Sequence, residues 1–188
     1  REAMPRLPES LEDLDALLVY ADFLQEQGDP RGALIALQQD EEGQGPHSHA
    51  VEAGELLRRE RRALLGSQLA AITIDGHRSS CHTLAWRWRL GFIAAAVLRK
   101  HKGSLFPPQA MLKVLLESPA AALLEHLALR GFGAEESYGG VLSWLARRGA
   151  PTLRELLVGA PSGRVRGLPL LGRLDPLLTA LPSLTTLG

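Results

Sequence analysis

The sequence predicts an α/β fold in which an N-terminal helical hairpin caps a short run of parallel strands and helices. Three observations lead to this prediction. Helix start and stop signals surround Gly28, an alternating aromatic and basic segment at 86–89 leads into an apolar run at 92–98, and a leucine pattern occurs three times near the C-terminal end. The predicted units are a helical hairpin module at 1–45, a helix with a connecting segment at 46–85, and a repeat region at 86–188.

The composition is that of a globular protein without a membrane anchor. Of the residues, 45% are hydrophobic and 22% are charged, which is enough apolar material for a core. No apolar run reaches the roughly 18 residues of a membrane helix, and the start REAMPRLPES lacks the apolar centre of a secretory signal. Cys81 is the single cysteine, so no internal disulfide forms. We therefore expect a cytoplasmic protein without a membrane partner.

The charges are unevenly distributed along the chain. Region 1–45 holds eleven acidic and three basic residues, and the remainder holds ten acidic and eighteen basic residues. We interpret this asymmetry as docking of the acidic N-terminal part on a basic body. The alternative is an exposed basic face that attracts an acidic partner.

The first region carries the signals of two helices joined by a tight turn. Ser10 is the expected N-cap of the first helix, and Asp13 completes a variant of the capping box. Apolar residues recur every three or four positions from Leu11 to Leu24, and the helix is expected to end near Gln27. In the turn, Gly28 supplies a positive φ and Asp29 is the N-cap of the second helix. Pro30 is the first residue of that helix.

Asp22, Asp29 and Arg31 are interpreted as structural residues of this hairpin and not as a catalytic site. Asp29 is occupied as an N-cap, and Asp22 lies close enough to the turn for an ion pair with Arg31. Catalysis would need a nucleophile or a metal between the two carboxylates. Tyr20 lies two residues from Asp22 and projects from another side of the helix. We therefore predict no catalytic residue in this stretch.

The stretch VYADFLQEQGDPRGALIALQ, at 19–38, resembles the bacterial repeat-companion domain. The hallmark of that family is a Tyr-Ala-Asp-aromatic-Leu run, then Gly-Asp-x-x-Gly, then an apolar helix that ends in Leu-Gln. The matching residues are Tyr20, Ala21, Asp22, Phe23, Leu24, Gly28, Asp29, Arg31, Gly32, Leu37 and Gln38. The departures are Phe23 in place of the usual Trp, and Gln25, Gln27 and Ala33 where charged residues are common. The resemblance implies a bacterial protein in which this hairpin precedes leucine-rich repeats.

The segment 46–85 holds one predicted helix, from Val51 to about Leu69. One side of this helix is apolar. The other side carries four arginines, and Glu52 and Glu55 can pair with the first two of them, so we interpret it as a solvated face and not as a nucleic-acid patch. These arginines are Arg58, Arg59, Arg61 and Arg62. No metal site is predicted, because a second pair at the spacing of a zinc site is missing among His47, His49, His77, Cys81 and His82.

The repeat region contains three copies of the pattern L-x-x-L-x-apolar. Leu124 and Leu153 begin the first two copies, and Leu184 begins the third. A proline precedes each copy, and helices are predicted before them at 107–117, 134–148 and 174–181. Stacked units of one strand and one helix bury each other's apolar faces. Since glycine replaces the asparagine of typical leucine-rich repeats, we predict a degenerate leucine-rich-repeat-like solenoid with parallel strands.

The N-terminal hairpin is expected to cap the first edge of this solenoid. The third pattern, which begins at Leu184, has no visible cap after it. We expect its edge to continue into deleted sequence, to be covered by another molecule or to fold over differently, since an unpaired apolar strand promotes aggregation. The alternative to a solenoid is an ordinary α/β domain, which helix packing on a sheet would also produce.

The sequence predicts protein binding and not catalysis. There is no glycine-rich phosphate loop and no nucleophile with a paired histidine and acid, so we expect neither an enzyme nor a cofactor. In stacked strands, the side chains between core positions face outward and are available to a protein partner. The predicted partner-binding residues are His126, Arg130, Glu155, Leu157 and Arg99.

Two other functions stay open at this point. Between residues 76 and 116, seven basic residues and no acid are interleaved with Trp86 and Trp88, as in a surface that binds nucleic acid or another polyanion. The residues for that function would be Arg87, Arg89, Lys100 and Lys102. We favour a structural interpretation of this segment, in which the tryptophans close the core and the arginines face the acidic hairpin. The chain could also be the target or regulated subunit of a separately encoded enzyme.

Overall fold

The computed structural model describes residues 5–44, 49–75, 82–100, 108–130, 138–159 and 175–188. In these ranges the chain has a mixed α/β fold with eight α-helices and a five-stranded, mostly parallel sheet. The helices are α1 (Leu14–Glu26), α2 (Pro30–Gln44), α3 (His49–Arg59), α4 (Arg61–Leu65), α5 (Ser67–Ala70), α6 (Pro108–Glu117), α7 (Tyr138–Arg148) and α8 (Asp175–Ala180). The strands are β1 (His82–Arg89), β2 (Phe92–Lys100), β3 (His126–Arg130), β4 (Glu155–Gly159) and β5 (Thr186–Leu187).

The strands lie side by side in chain order, from β1 to β5. β1 and β2 are antiparallel, because only Leu90 and Gly91 separate them and such a short turn reverses the chain. Both turn residues have the positive φ of a tight hairpin, 47° and 76°. The other three strand pairs are parallel. The expectation of parallel strands is therefore confirmed for β2 to β5, and an antiparallel strand, β1, precedes them.

The three leucine patterns form neighbouring rungs of the sheet, as their spacing predicts. Leu127 of β3 lies beside Leu156 of β4, and Leu156 lies beside Leu187 of β5. Leu129 pairs in the same way with Val158. β2 has no such pattern in its sequence, but it extends the first rung through Ala96. Each unit thus repeats the register of the unit before it.

The main core lies between one face of the sheet and the helices that connect the parallel strands. α6, α7 and α8 all contribute side chains to it, which include Leu112, Leu115, Leu142, Leu145 and Leu177. Crossovers between parallel strands have a constant hand, so successive helices return on the same side of a sheet. The three helices predicted at 107–117, 134–148 and 174–181 are confirmed to within a few residues in the described ranges.

α1 and α2 form the predicted hairpin. Gly28 has the positive φ that the turn requires, 72°, and Asp29 caps α2 through a hydrogen bond of 2.8 Å from the amide two residues later. The N-cap of α1 is Asp13, whose Oδ1 accepts from the amide three residues later at 3.1 Å. Ser10 instead accepts from the amide of Glu12, so α1 begins later than its predicted cap implies.

The hairpin packs against the turn between β1 and β2. A Cβ on Gly91 would lie 2.6 Å from Cγ1 of Ile35 and 2.9 Å from Cγ of Arg31, so α2 approaches this glycine closely. The Gly91 amide also donates to Oε1 of Gln38 at 2.9 Å. Buried side chains of α1 surround Phe92 at the start of β2. The hairpin therefore caps the base of the first two strands, and the sheet edge beside β2 is occupied by β1.

The helix expected at 51–69 is divided into three. It is interrupted at Glu60 and again at Gly66, whose φ of 76° no helix accommodates. A π-helical turn, Ala71–Asp75, follows. The proposed boundary between 85 and 86 falls inside β1, so the connecting segment supplies part of the sheet.

Candidate functional site

The sheet has one face packed against α6, α7 and α8 and a second face, here called the open face. Because side chains alternate along a strand, the residues between the core leucines project to the open face. Strand register arranges them in three rows across the sheet. The first row is Arg87, Ala95, His126, Glu155 and Thr186, and the central row is Ala85, Val97, Ala128 and Leu157. Among residues whose side chains are described, the third row is Arg99, Arg130 and Gly159.

The central row of the open face is an apolar strip. Val97 and Leu157 are half-buried, Ala128 between them is 7% exposed, and Ala85 at the β1 end is exposed. With neighbouring strands about 4.8 Å apart, the strip extends over roughly 14 Å from β1 to β4. The half-buried Val97 and Leu157, with the buried Ala128 between them, form an apolar surface on which apolar groups of a partner can be buried.

His126 and Glu155 form a polar pair beside this strip. They occupy facing positions of β3 and β4, and Nδ1 of the imidazole lies 3.0 Å from Oε2 of the carboxylate. Their side chains are 39% and 34% exposed. Both residues were predicted to contact a partner, and the structure adds that the carboxylate is already occupied by the imidazole.

Arg99 and Arg130 stand side by side near the C-terminal ends of β2 and β3. Both are exposed, and in the described part of the chain neither has an ion pair or a side-chain hydrogen bond. Gly159 follows in the same row, with its missing Cβ position 3.9 Å from Cγ of Arg130. Two neighbouring positions of this row are therefore positively charged, and the next position has no side chain.

The residues predicted for polyanion binding have different surroundings. Arg87 is exposed and belongs to the open face. A register shift at 87/88 interrupts the alternation, and Arg89 is half-buried with its Nη1 4.0 Å from Oε2 of Glu125. The side chain of Lys100 and the whole of Lys102 lie outside the described residues. Of this set, the structure therefore places only Arg87 on the open face among the residues described.

Trp86 and Trp88 pack against the main core, as the favoured interpretation of the basic segment predicts. The guanidinium of Arg61 lies 5.7 Å above the ring of Trp86, a cation–π distance that covers this aromatic face. Arg59 does not form the expected pair with Glu52 or Glu55. Its Nε lies 2.9 Å from Oε1 of the following residue, Glu60.

A buried carboxylate lies at the base of the strands. Glu125 is 5% exposed, and its Oε1 lies 3.8 Å from Nε of Arg154. Nη1 of Arg154 donates to Oε1 of Glu12 at 2.6 Å. This hydrogen bond lowers the pKa of the Glu12 carboxyl and raises the pKa of the Arg154 guanidinium. One acid of the N-terminal region, Glu12, thus pairs with a basic residue of the repeat region, in the direction that the charge asymmetry predicts.

The contact between Glu125 and Arg154 was not predicted, although the sequence contains a signal for it. Each residue directly follows the first leucine of its pattern, Leu124 or Leu153. Residues at equivalent positions of stacked units lie side by side, so opposite charges there attract each other. A comparison of the copies position by position would have indicated the pair.

The hairpin residues are placed differently from the prediction. Nη1 of Arg31 lies 3.5 Å from Oδ2 of Asp29, and its Nη2 donates to the carbonyl oxygen of Leu64 at 3.2 Å. Asp22 is exposed. The expected pair of Asp22 and Arg31 is therefore wrong, because Arg31 points inward to α4 and not back across the surface of α1.

Neither a metal cluster nor a membrane-spanning helix is found in the ranges that the structure covers. No group of three or more His, Cys, Asp or Glu residues there is arranged to hold a metal ion. His47, His77 and Cys81 lie outside those ranges. No helix among the described residues combines the length and apolar character that crossing a bilayer requires.

Comparisons of this chain with protein-family models, with curated proteins and with solved structures found no match. Function is therefore inferred from the open face and its charges.

Proposed function

We propose that the chain is a non-catalytic protein-interaction module, built as a degenerate leucine-rich-repeat-like solenoid, that binds a protein partner through the open face. The observation that carries this proposal is the shared register of β2, β3 and β4. Because the core leucines pair with one another, the residues between them are gathered on a single surface.

The chemistry of that surface supports a protein as the partner. Protein interfaces combine an apolar centre with a polar rim, and arginine is enriched in them. Here the apolar strip lies between a row that contains the pair of His126 and Glu155 and a row that contains Arg99 and Arg130. Four of the five residues predicted for partner binding, with Leu157 among them, come from two adjacent strands, β3 and β4.

The test is quantitative affinity capture from a bacterial lysate with the wild type and two triple variants. H126A/R130A/E155A removes a histidine–glutamate pair and an arginine from the open face. K113A/E117A/R147A is a matched control that removes an exposed ion pair, with 3.9 Å between its charged atoms, and an exposed arginine from α6 and α7. Captured proteins are identified, and the most enriched is purified and titrated.

We expect the control to retain the wild-type affinity and the open-face variant to lose it by at least about tenfold, which is roughly 1.4 kcal/mol. Circular dichroism and thermal melts establish that both variants are folded. Equal capture by all three proteins would refute the proposal.

Polyanion binding is the second candidate function, favoured by the exposed cations Arg87, Arg99 and Arg130 on one face. Against it, Trp86 and Trp88, which base stacking would use, pack against the core. Titration with single-stranded DNA at increasing salt separates the two functions, because phosphate contacts make affinity fall steeply with salt. Tight, salt-sensitive DNA binding that R87Q abolishes would replace the protein partner as the proposed ligand.

A further inference from the structure

We infer that the segment recognised by the open face is both acidic and apolar, with carboxylates that pair with Arg99 and Arg130 and apolar side chains that cover the central strip. This inference rests on the proposed function and specifies the chemistry of the partner. Three observations support it: the balance of charge on the open face, the position of the two arginines, and the spacing of the rows.

The open face has more unpaired positive than negative charge. Among its described residues, Arg87, Arg99 and Arg130 are exposed cations. Glu155 is the single carboxylate in the same set, and the imidazole of His126 lies 3.0 Å from it. A partner segment with negative charge therefore meets cations that have no counter-charge among the described residues of the open face, whereas a basic segment meets repulsion.

The two arginines face each other directly on neighbouring strands. Like charges at facing positions destabilise a sheet, so this arrangement has a cost in the free protein. A carboxylate between the two guanidiniums removes the repulsion and forms charge-assisted hydrogen bonds, which each arginine fork can make in pairs.

The rows of the open face match the repeat of an extended peptide. Val97 and Arg99 are two residues apart on β2, as are Ala128 and Arg130 on β3, so the strip and the arginine row are separated by about 6.6 Å. In an extended peptide, every second side chain points to the same side at the same spacing. Consider an extended segment that runs along the strands. If one of its apolar residues covers the strip, an acidic residue two positions further along lies over the arginines.

The test uses three fluorescent twelve-residue peptides of defined sequence. The first is three repeats of Glu-Ser-Leu-Ser, and the matched peptides carry Gln or Lys in place of every Glu. Fluorescence anisotropy gives their affinities for the wild type, for R99Q/R130Q and for the control R58Q/R147Q, which removes two exposed arginines from α3 and α7. Heparin, an anion without apolar side chains, is the fourth probe.

We expect the Glu peptide to bind at least about tenfold more tightly than the Gln and Lys peptides, and R99Q/R130Q to remove that preference while R58Q/R147Q keeps it. Equal binding of the Glu and Gln peptides, or binding by R99Q/R130Q that equals the wild type, overturns the inference. Heparin binding as tight as that of the Glu peptide also overturns it, since charge alone would then suffice.

The outcomes also separate this inference from the proposed function. Binding of the Gln peptide that H126A/R130A/E155A abolishes would leave the open face as a protein-binding surface and remove only its acidic preference. Failure of every peptide to bind overturns the inference, while the lysate capture then decides the proposed function independently.

Discussion

Arg31 is a charged residue with only 5% of its surface exposed, and its contacts explain the position of the hairpin. Its guanidinium reaches Asp29 at the hairpin turn and the carbonyl of Leu64 at the end of α4, and it lies 5.5 Å from the ring centroid of Phe92 in β2. A buried ion pair adds little net stability, because loss of hydration offsets the attraction. Arg31 therefore contributes mainly by orienting the hairpin, since its one side chain contacts the hairpin turn, α4 and β2.

Replacing Gly91 by alanine is expected to destabilise the fold by about 2–4 kcal/mol, and the same change at Gly28 by about 1 kcal/mol. Both glycines have nearly the same positive φ, 76° and 72°, so the two variants share the backbone strain. Only at Gly91 does a new Cβ collide, with Ile35 and Arg31, whereas no atom lies within 4 Å of a Cβ at Gly28. Urea unfolding measures both losses. Equal values would contradict the close approach of α2 to this turn.

At the scale of the elements, hydroxyl groups in the turns tie successive repeat units together. Oγ1 of Thr152 donates to the carbonyl of Leu124 at 2.8 Å, and Oγ of Ser183 donates to the carbonyl of Pro151. Each hydroxyl lies in the turn before a strand and satisfies a carbonyl of the preceding unit. Stacking therefore uses polar contacts outside the sheet as well as the leucine rungs within it.

The alternation of faces in β4 predicts opposite outcomes for neighbouring leucines. Leu156→Ala removes a fully buried rung and is expected to cost about 2–5 kcal/mol of unfolding free energy. Leu157→Ala removes a half-buried side chain of the open face and is expected to cost about 1 kcal/mol or less. Urea unfolding with peptide titration checks both variants. A larger loss for Leu157 would mean that the register of β4 is shifted by one residue.

The same pair of variants separates stability from binding. Leu157 belongs to the apolar strip, so L157A should weaken binding of the Glu peptide while the protein stays folded. L156A is the reverse case, because its side chain lies in the core and touches no ligand on the open face. It should lower stability and leave the affinity of the folded protein nearly unchanged.

At the scale of the whole molecule, one surface contact connects the start of the chain with the repeat region. Glu12 and Arg154 are 142 residues apart in sequence and share a hydrogen bond of 2.6 Å. Arg154 also lies near the buried Glu125, and Arg89 approaches the same carboxylate from β1. The acidic excess of the first 45 residues is thus partly matched at the base of the sheet, away from the arginines of the open face.

This contact makes part of the stability dependent on pH. The hydrogen bond from Arg154 lowers the pKa of Glu12 in the folded state, so the ionised carboxylate stabilises the fold above its ordinary pKa of 4.5. As the pH falls from 4.5 through the lowered pKa, that contribution is lost. Wild type should therefore be more stable than E12Q at pH 7, by a small amount because the pair is exposed, and the difference should disappear on acidification.

Urea unfolding of both proteins from pH 7 to pH 3 measures this difference, and the carboxyl carbon shift of Glu12 in NMR spectra follows the titration directly. E9Q, which changes another exposed glutamate of the same segment, is the control for general charge effects. A difference between wild type and E12Q that does not change with pH would show that Glu12 acts in another way.

The sequence by itself determined the features that depend on local signals and on period. Gly28 and Asp29 marked the hairpin turn, because positive φ and helix capping are properties of single residues. Leucines in phase predicted neighbouring rungs, since equal spacing in the chain returns equivalent residues to the same level of a parallel sheet. Period-two alternation then placed His126, Arg130 and Leu157 on a common face.

Only the tertiary structure decided which side chains meet. Arg31 contacts Asp29 and Leu64 and not Asp22. Arg99 lies beside Arg130. Glu125 is buried next to Arg154. A charged side chain has several partners within reach of its flexible stem, and local spacing does not rank them. The packing of whole helices and strands decides which partner is contacted, because burial removes water from some of these pairs and leaves it at others.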